Sequence, residues 1–232
     1  MNTNRRAFIQ NILVLAGVAV AVPALAAIPA TKGAGVPNFV GHTKEIKPAV
    51  HTICGRTASG KSIALAAVAT AWHNADPYKN RFLIVDFEGS ARRWPTTKGG
   101  GALIQPDFNS TAVQSTTLAD VSAVTSKWEN DGKDVLILVD MPVLMFPTEN
   151  SHARIWSYNW CKSIADETGC NVVQTVQKPR TVASYPMGAA GELVVDVERH
   201  GAEINAVIKH HSVPYTDHVV KLIKSVFPIR IG

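Results

Sequence analysis

The sequence of 232 residues contains little cysteine, with Cys54, Cys161 and Cys170 as its three thiols. They form no CxxC pair, and no histidine stands near them at metal-ligand spacing. The sequence therefore predicts neither a zinc site nor a disulfide framework. An odd number of cysteines is typical of a reducing compartment, in which a buried thiol behaves as a small apolar side chain.

Long runs of like charge, internal repeats and low-complexity segments are also absent from the sequence. The formal net charge is +5 and the pI is near 9.2. Because the lysines and arginines are dispersed, an ordinary solvated surface explains this charge as well as an acidic partner does. Nucleic acid and an anionic membrane surface are the acidic partners that the charge permits.

The first 30 residues are predicted to be a targeting or anchoring segment. Arg5 and Arg6 precede an uncharged apolar stretch at residues 12–30, and Ala24-Leu25-Ala26 has the A-x-A pattern of a cleavage site. This order resembles a bacterial twin-arginine export signal. Three interpretations stay open: a cleaved signal, an uncleaved anchor near the roughly 20 residues that span a bilayer, or a buried helix.

Composition after this segment predicts a linker and then one folded domain. Residues 31–45 are rich in glycine, proline and polar residues, as linkers are. Residues 46–232 are predicted to form a domain of ordinary size, since domains typically hold about 100–200 residues.

Short apolar segments alternate with helix-length segments in this domain. The predicted strands are residues 48–54, 81–87, 134–139 and 171–176, and the predicted helices are residues 61–73, 118–130 and 151–168. Strands that are apolar on both faces and separated by helices favour an α/β fold with a mainly parallel sheet flanked by helices. Residues 194–198, 202–210 and 219–227 predict extra strands, parallel or antiparallel, at one sheet edge near the C-terminus.

An eight-residue loop after the first predicted strand matches the pattern GxxxxGK[ST] without departure. In such a loop, glycines let backbone N–H groups point at phosphate oxygens, and the following helix presents its positive end there. The lysine reaches the β- and γ-phosphates of a nucleotide, and the final hydroxyl contacts Mg²⁺. The predicted phosphate-binding residues are Gly55, Arg56, Thr57, Ala58, Ser59, Gly60, Lys61 and Ser62.

A carboxylate at the end of a second apolar strand completes the predicted metal site. Asp140 closes the strand Leu-Ile-Leu-Val, which resembles a Walker B segment that holds the Mg²⁺ shell. Ser62 and Asp140 are thus the predicted metal-binding residues, with ATP and Mg²⁺ as cofactors. A turn cap before Pro142 is the alternative role for Asp140.

The order of these elements over residues 50–209 resembles the RecA-like branch of P-loop ATPases. By this resemblance Glu88, at the end of an Asp-x-Glu strand, is the general base, together with Lys61 in catalysis. By the same resemblance Gln177 is the residue that senses the γ-phosphate and Gln174 is a weaker choice, while a solvated position at the sheet edge is the alternative for both. RecA-like ATPases assemble as rings or filaments, so the resemblance also implies a homo-oligomer.

The resemblance implies that an arginine of one subunit reaches the nucleotide of its neighbour. Arg180 is the candidate arginine finger and Arg199 the second candidate, while a plain surface charge is the alternative for both. Glu88 has an alternative as well, because it could cap a following helix.

Two other P-loop groups fit the sequence less well. Arg56 stands where the ParA and MinD group has its signature lysine, and no Asn-Lys-x-Asp sequence of a GTPase follows Asp140. A basic and aromatic cluster, Arg92-Arg93-Trp94, suits phosphate contact and base stacking with nucleic acid, although a solvated loop explains it too.

The leading hypothesis is an ATPase coupled to DNA handling, such as packaging, recombination or partition. Its size resembles that of plasmid- or phage-encoded ATPases. A nucleotide-dependent switch or scaffold at the membrane is the second hypothesis, and a small-molecule kinase is the third, since no arginine-rich lid is evident. ATP use predicts a cytoplasmic location, tethered to the inner membrane if residues 1–30 are an anchor, with export of the signal-like segment as the alternative.

Overall fold

A computed structural model describes residues 48–89, 100–146, 152–178, 193–211 and 218–230 of the chain. The predicted signal or anchor at residues 1–30, the linker at 31–45 and the domain start at residue 46 lie outside these ranges. Across the ranges that are described, no helix has both the length and the apolar character needed to cross a membrane.

The described residues form eight strands and four α-helices. The strands are β1 (Val50–Gly55), β2 (Asn80–Asp86), β3 (Gly101–Ile104), β4 (Asp134–Asp140), β5 (Asn171–Gln177), β6 (Leu193–His200), β7 (Glu203–His211) and β8 (Ile229–Arg230). The helices are α1 (Lys61–Ala75), α2 (Val113–Asn130), α3 (Ala153–Thr168) and α4 (His218–Val226), with a 3-10 turn at Pro142–Met145.

These strands join in one sheet with the order β3-β2-β4-β5-β1-β6-β7-β8. The six strands from β3 to β6 in this order are parallel to their neighbours, whereas β7 is antiparallel to β6 and to β8. The predicted α/β class with a mainly parallel sheet and added edge strands is therefore confirmed. Carboxyl ends of β1, β2, β4 and β5 meet at one edge of this sheet.

Helices cover both faces of the sheet, which explains the continuous apolar strands. In β2, Phe82 and Ile84 pack on the face covered by α1 and α4, while Leu83 and Val85 pack on the face covered by α2 and α3. Successive strand residues point to opposite faces, so a strand buried on both sides needs no polar alternation. Each such buried side chain contributes about 1.5–3 kcal/mol of transfer free energy.

The structure differs from the prediction in two elements near the sides of the sheet. Residues 219–227 were predicted to be a strand, but residues 219–226 lie in the helix α4, which ends at Val226. Its buried residues Val219, Val220, Ile223 and Val226 are spaced three to four apart, and this helical spacing packs them against the core around α1. The strand β3 was not predicted, because its four half-buried residues carry too short a pattern.

Candidate nucleotide-binding site

The predicted phosphate loop lies between β1 and α1. It is located at the carboxyl ends of the parallel strands, and β1 is an inner strand of the sheet. Gly60, with φ of 90°, precedes the first residue of α1, and Ala58 has φ of 62°. A Cβ at Gly60 would lie 2.3 Å from Ile204 Cδ1, and one at Gly55 would lie 2.7 Å from the backbone carbonyl oxygen of Val197. Glycine is thus required at both ends of the loop by close packing, and at Gly60 also by its left-handed backbone.

Lys61 lies inside the curve of this loop. Its Nζ donates a hydrogen bond of 2.9 Å to the carbonyl oxygen of Arg56. Desolvation lowers the pKa of Lys61 from its ordinary value of 10.5, while the negative charges of Glu88 and Asp140 act in the opposite direction. A cation that has lost part of its water at a helix N-terminus suits an anionic phosphate group.

The loop also contains a buried polar atom that fits a ligand with oxygen atoms. Within the described ranges, the hydroxyl of Ser59 is buried and has no hydrogen-bond partner. Buried polar atoms normally have partners, so this atom is consistent with a loop built around a further polar group.

Ser62 and Asp140 meet where the first turn of α1 faces the end of β4. The hydroxyl of Ser62 donates a hydrogen bond of 3.0 Å to Asp140 Oδ2. Asp140 is fully buried. A hydroxyl and a carboxylate are hard oxygen ligands, and Mg²⁺ in nucleotide sites needs only one or two carboxylates because phosphates and water complete its shell. This donor set therefore fits Mg²⁺ held together with a nucleotide.

Glu88 lies at the same edge because β2 and β4 are neighbours in register. Asp86 is paired with Asp140, and the backbone N–H of Phe87 donates to the carbonyl of Asp140 at 3.1 Å. Asp86 Oδ1 then accepts bonds from the N–H groups of Glu88 and Gly89, at 3.1 and 2.7 Å. This tight turn fixes the backbone from which the Glu88 side chain extends.

The Glu88 side chain retains solvent exposure but is surrounded by charge. Its pKa is raised above the ordinary 4.5, first by desolvation and then by repulsion from Asp140, while Lys61 acts in the opposite direction. A carboxylate with a raised pKa beside a phosphate loop is well suited to accept a proton from water.

The two glutamines of β5 have different surroundings. Gln177 Nε2 donates to Thr57 Oγ1 in the phosphate loop at 2.8 Å. Gln174 is fully buried, accepts a bond from the Cys161 thiol at 3.5 Å and donates to Thr52 Oγ1 at 3.1 Å. The structure thus brings Gln177, and not Gln174, to the site.

Of the arginine and aromatic candidates, Arg199 alone lies within the described ranges. Arg180 and the cluster Arg92-Arg93-Trp94 lie outside the described ranges. Arg199 is exposed near the end of β6, where its Nε donates to the carbonyl of Gly201 at 3.1 Å.

Three polar residues near the loop were not predicted from the sequence. Thr175 in β5 donates to Asp140 Oδ1, and Lys178 Nζ forms an ion pair of 2.6 Å with Asp196 Oδ2 in β6. The N–H of Lys178 also donates to the Gly55 carbonyl at 2.9 Å. The available signal was a polar residue flanked by valines within a strand, as with Asp196 between Val195 and Val197 in β6.

Comparison with known proteins supports the fold but gives no relative by sequence. No protein-family model matches the chain, and no curated protein matches it. Among solved structures, it resembles a KaiC-like protein from the archaeon Pyrococcus horikoshii, with a TM-score of 0.50 and 16% identity. The match covers 74% of this chain and 83% of that chain.

A likeness at this identity shows the fold alone. The fold is a RecA-like α/β fold, as the order of motifs predicted. The predicted similarity to plasmid- or phage-encoded ATPases receives no support from these comparisons.

Proposed function

We propose that this protein is an ATPase that binds ATP with Mg²⁺ at the loop from Gly55 to Ser62 and hydrolyses it. The observation that carries the proposal is the hydrogen bond of 3.0 Å between Ser62 and Asp140. It joins α1, the helix that follows the phosphate loop, to the acidic end of β4. Together with Lys61, this pair supplies the phosphate contact and the metal contact that a nucleoside triphosphate requires.

Each residue of the site has a separate task in this proposal. Lys61 exchanges its bond with the Arg56 carbonyl for the β- and γ-phosphate oxygens, and loop N–H groups hold the remaining phosphate oxygens. Bound Mg²⁺ supplies charge neutralisation at these oxygens. Glu88 accepts a proton from the attacking water, and Gln177 exchanges its bond with Thr57 for the γ-phosphate.

Assembly and coupling to DNA form the finer part of the proposal. A homo-oligomer would let Arg180 of one subunit contact the nucleotide of the next and stabilise charge in the transition state. The net charge of +5 permits an acidic partner such as DNA. A nucleotide-dependent switch at a membrane is the second candidate, favoured by the apolar stretch at residues 12–30.

The test is the rate of ATP hydrolysis by the full-length chain, measured alone and with single- or double-stranded DNA. Lys61→Ala and Glu88→Gln are the site variants. Lys127→Ala and Glu167→Gln are matched controls, because they make the same changes at exposed positions in the last turns of α2 and α3, at the opposite ends of the strands from the phosphate loop. We expect hydrolysis that the two site variants abolish and the two controls retain.

Each other outcome corrects a named part of the proposal. Stimulation by DNA supports the coupling, whereas equal rates with and without DNA exclude it and leave the ATPase intact. Tight ATP binding with hydrolysis at background favours the switch. A chain that binds no ATP contradicts the proposed function altogether.

A further inference from the structure

Thr175 is a buried polar residue in β5 that makes two hydrogen bonds at the candidate metal site. Its hydroxyl donates to Asp140 Oδ1 and accepts a bond of 2.9 Å from the backbone N–H of Met141. Thr175 has no solvent exposure, and neither has Asp140. A single hydroxyl therefore contacts both the acidic side chain at the end of β4 and the residue that follows it.

The two oxygens of Asp140 are contacted by hydroxyls from different elements. Ser62, on α1, donates to Oδ2, and Thr175, on β5, donates to Oδ1. In a P-loop the hydroxyl at the position of Ser62 moves onto Mg²⁺ when the nucleotide binds. Of the two hydroxyls, Thr175 is then the one that remains on Asp140 and keeps the carboxylate in place.

The backbone after Asp140 also depends on the Thr175 hydroxyl. Met141 has φ of 56°, a left-handed conformation that a residue with a long side chain rarely adopts. Its N–H is directed to Thr175, so this hydrogen bond stabilises the sharp exit of the chain from β4. Side chain and backbone at the end of β4 are thus held by the same group.

We propose that Thr175 is a positioning residue that orients Asp140 for Mg²⁺. The inference rests on the proposed function, because it acts on the metal that accompanies the nucleotide. Removing the hydroxyl leaves a buried carboxylate oxygen and a buried N–H without this partner, and such groups are costly. Partners that orient a metal-binding side chain typically change metal affinity by about 10–100-fold.

The experiment compares Thr175→Val, which keeps the shape and removes the hydroxyl, with Thr175→Ser, which keeps the hydroxyl. Binding of a fluorescent ATP analogue to the full-length chain is measured with a chelator and with increasing Mg²⁺. In chelator, we expect wild type and both variants to bind with similar affinity, because the phosphate loop is unchanged. With Mg²⁺, we expect the half-saturating concentration of the valine variant to rise about 10-fold or more, and that of the serine variant to stay near wild type.

The outcomes separate this inference from the proposed function. An unchanged Mg²⁺ requirement in the valine variant, or an equal rise in both variants, overturns the role of the hydroxyl. A wild-type chain that binds no analogue in either buffer overturns the proposed function and this role together. If the valine variant does not fold, Thr175→Cys makes the same test, because a thiol is only a weak donor.

Discussion

The interior of the sheet and its carboxyl edge differ sharply, although the same strands build both. The middle of β2 and of β4 is a run of fully buried apolar side chains: Leu83, Ile84, Val85, Leu136, Ile137, Leu138 and Val139. Asp86 and Asp140, the last residues of these strands, follow directly, and Glu88 comes two positions after Asp86. Side chains whose burial stabilises the fold thus stand within three positions of side chains whose charges are partly desolvated.

The pKa shifts of Lys61 and Glu88 indicate that placing charged groups at the strand ends is unfavourable for the free energy of folding. Desolvation lowers the pKa of Lys61 and raises the pKa of Glu88, so the charged form is disfavoured at both positions. Such groups oppose folding at neutral pH, and their presence at one edge is consistent with selection for binding. Stability in this protein comes from the strand interior, while the proposed chemistry belongs to the strand ends.

The largest expected effect is that of Glu88→Gln at the carboxyl ends of the strands, which should change activity and stability in opposite directions. We expect Glu88→Gln to lower the rate constant kcat of ATP hydrolysis about 10²–10⁴-fold, because a general base is lost. The same change should raise thermal stability at neutral pH, since it removes a disfavoured charge. Steady-state kinetics and thermal unfolding of the same samples check both effects. Lower stability in the variant would contradict the comparison.

A substitution in the interior of the sheet should lower stability, in contrast to Glu88→Gln. We expect Leu138→Ala, in the fully buried part of β4, to lower the free energy of unfolding by about 2–5 kcal/mol through lost burial and a cavity. Leu144→Ala, at a position that is 39% exposed in the 3-10 turn, is the matched control and should change it by about 0.5 kcal/mol or less. Urea unfolding measures both, and equal losses would show that burial does not distinguish the two leucines.

The pH dependence should report the raised pKa of Glu88. A general base works only when ionised, so kcat/KM, which reports groups of the free protein, should fall with decreasing pH through a value above the ordinary 4.5. The folded state holds the Glu88 proton more tightly than the unfolded state, so Glu88 lowers stability as pH rises through this same window. The stabilisation by Glu88→Gln should therefore disappear below pH 4.5. A pH–rate profile and thermal unfolding at several pH values measure this, and a stabilisation that persists in acid would exclude the charge as its cause.

The smallest expected effect lies on the surface away from both regions. Lys79 and Asp134 form an ion pair of 2.9 Å, and their side chains are 54% and 40% exposed. We expect Lys79→Ala to lower the free energy of unfolding by about 1 kcal/mol or less, and by less still in high salt. Urea unfolding at two salt concentrations checks this, and a larger loss that salt leaves unchanged would require a different role for Lys79.

Local sequence patterns predicted those parts of the site that depend on a single segment. The phosphate loop is specified by eight consecutive residues, and the apolar runs that end at Asp86 and Asp140 are specified by their own composition. Thr175 and Asp196 could not be predicted in this way. Their relation to the site depends on β5 lying beside β4 and on β6 lying beside β1, and strand order is not a property of any one segment.

The same reasoning explains the error at the C-terminus. The run from Val219 to Val226 is short, and for so few residues a strand pattern and a helix pattern are hard to separate. Its packing against the core around α1 decides the outcome, and the sequence of the run alone contains no information on that partner.

The strand β1 stands first among the described strands, yet its neighbours come late in the chain. Val50 pairs with Val172 in β5, and Thr52 pairs with Val194 in β6. Gln174 of β5 lies 122 positions after its partner Thr52 of β1, and a ribosome adds about 5–20 residues per second, so about 6–24 s pass between the synthesis of these two residues. During that time β1 lacks both of its neighbours in the sheet, and its unpaired backbone edges are available to chaperones. The phosphate loop directly follows β1, so we expect it to reach its final form only after these later strands have been made.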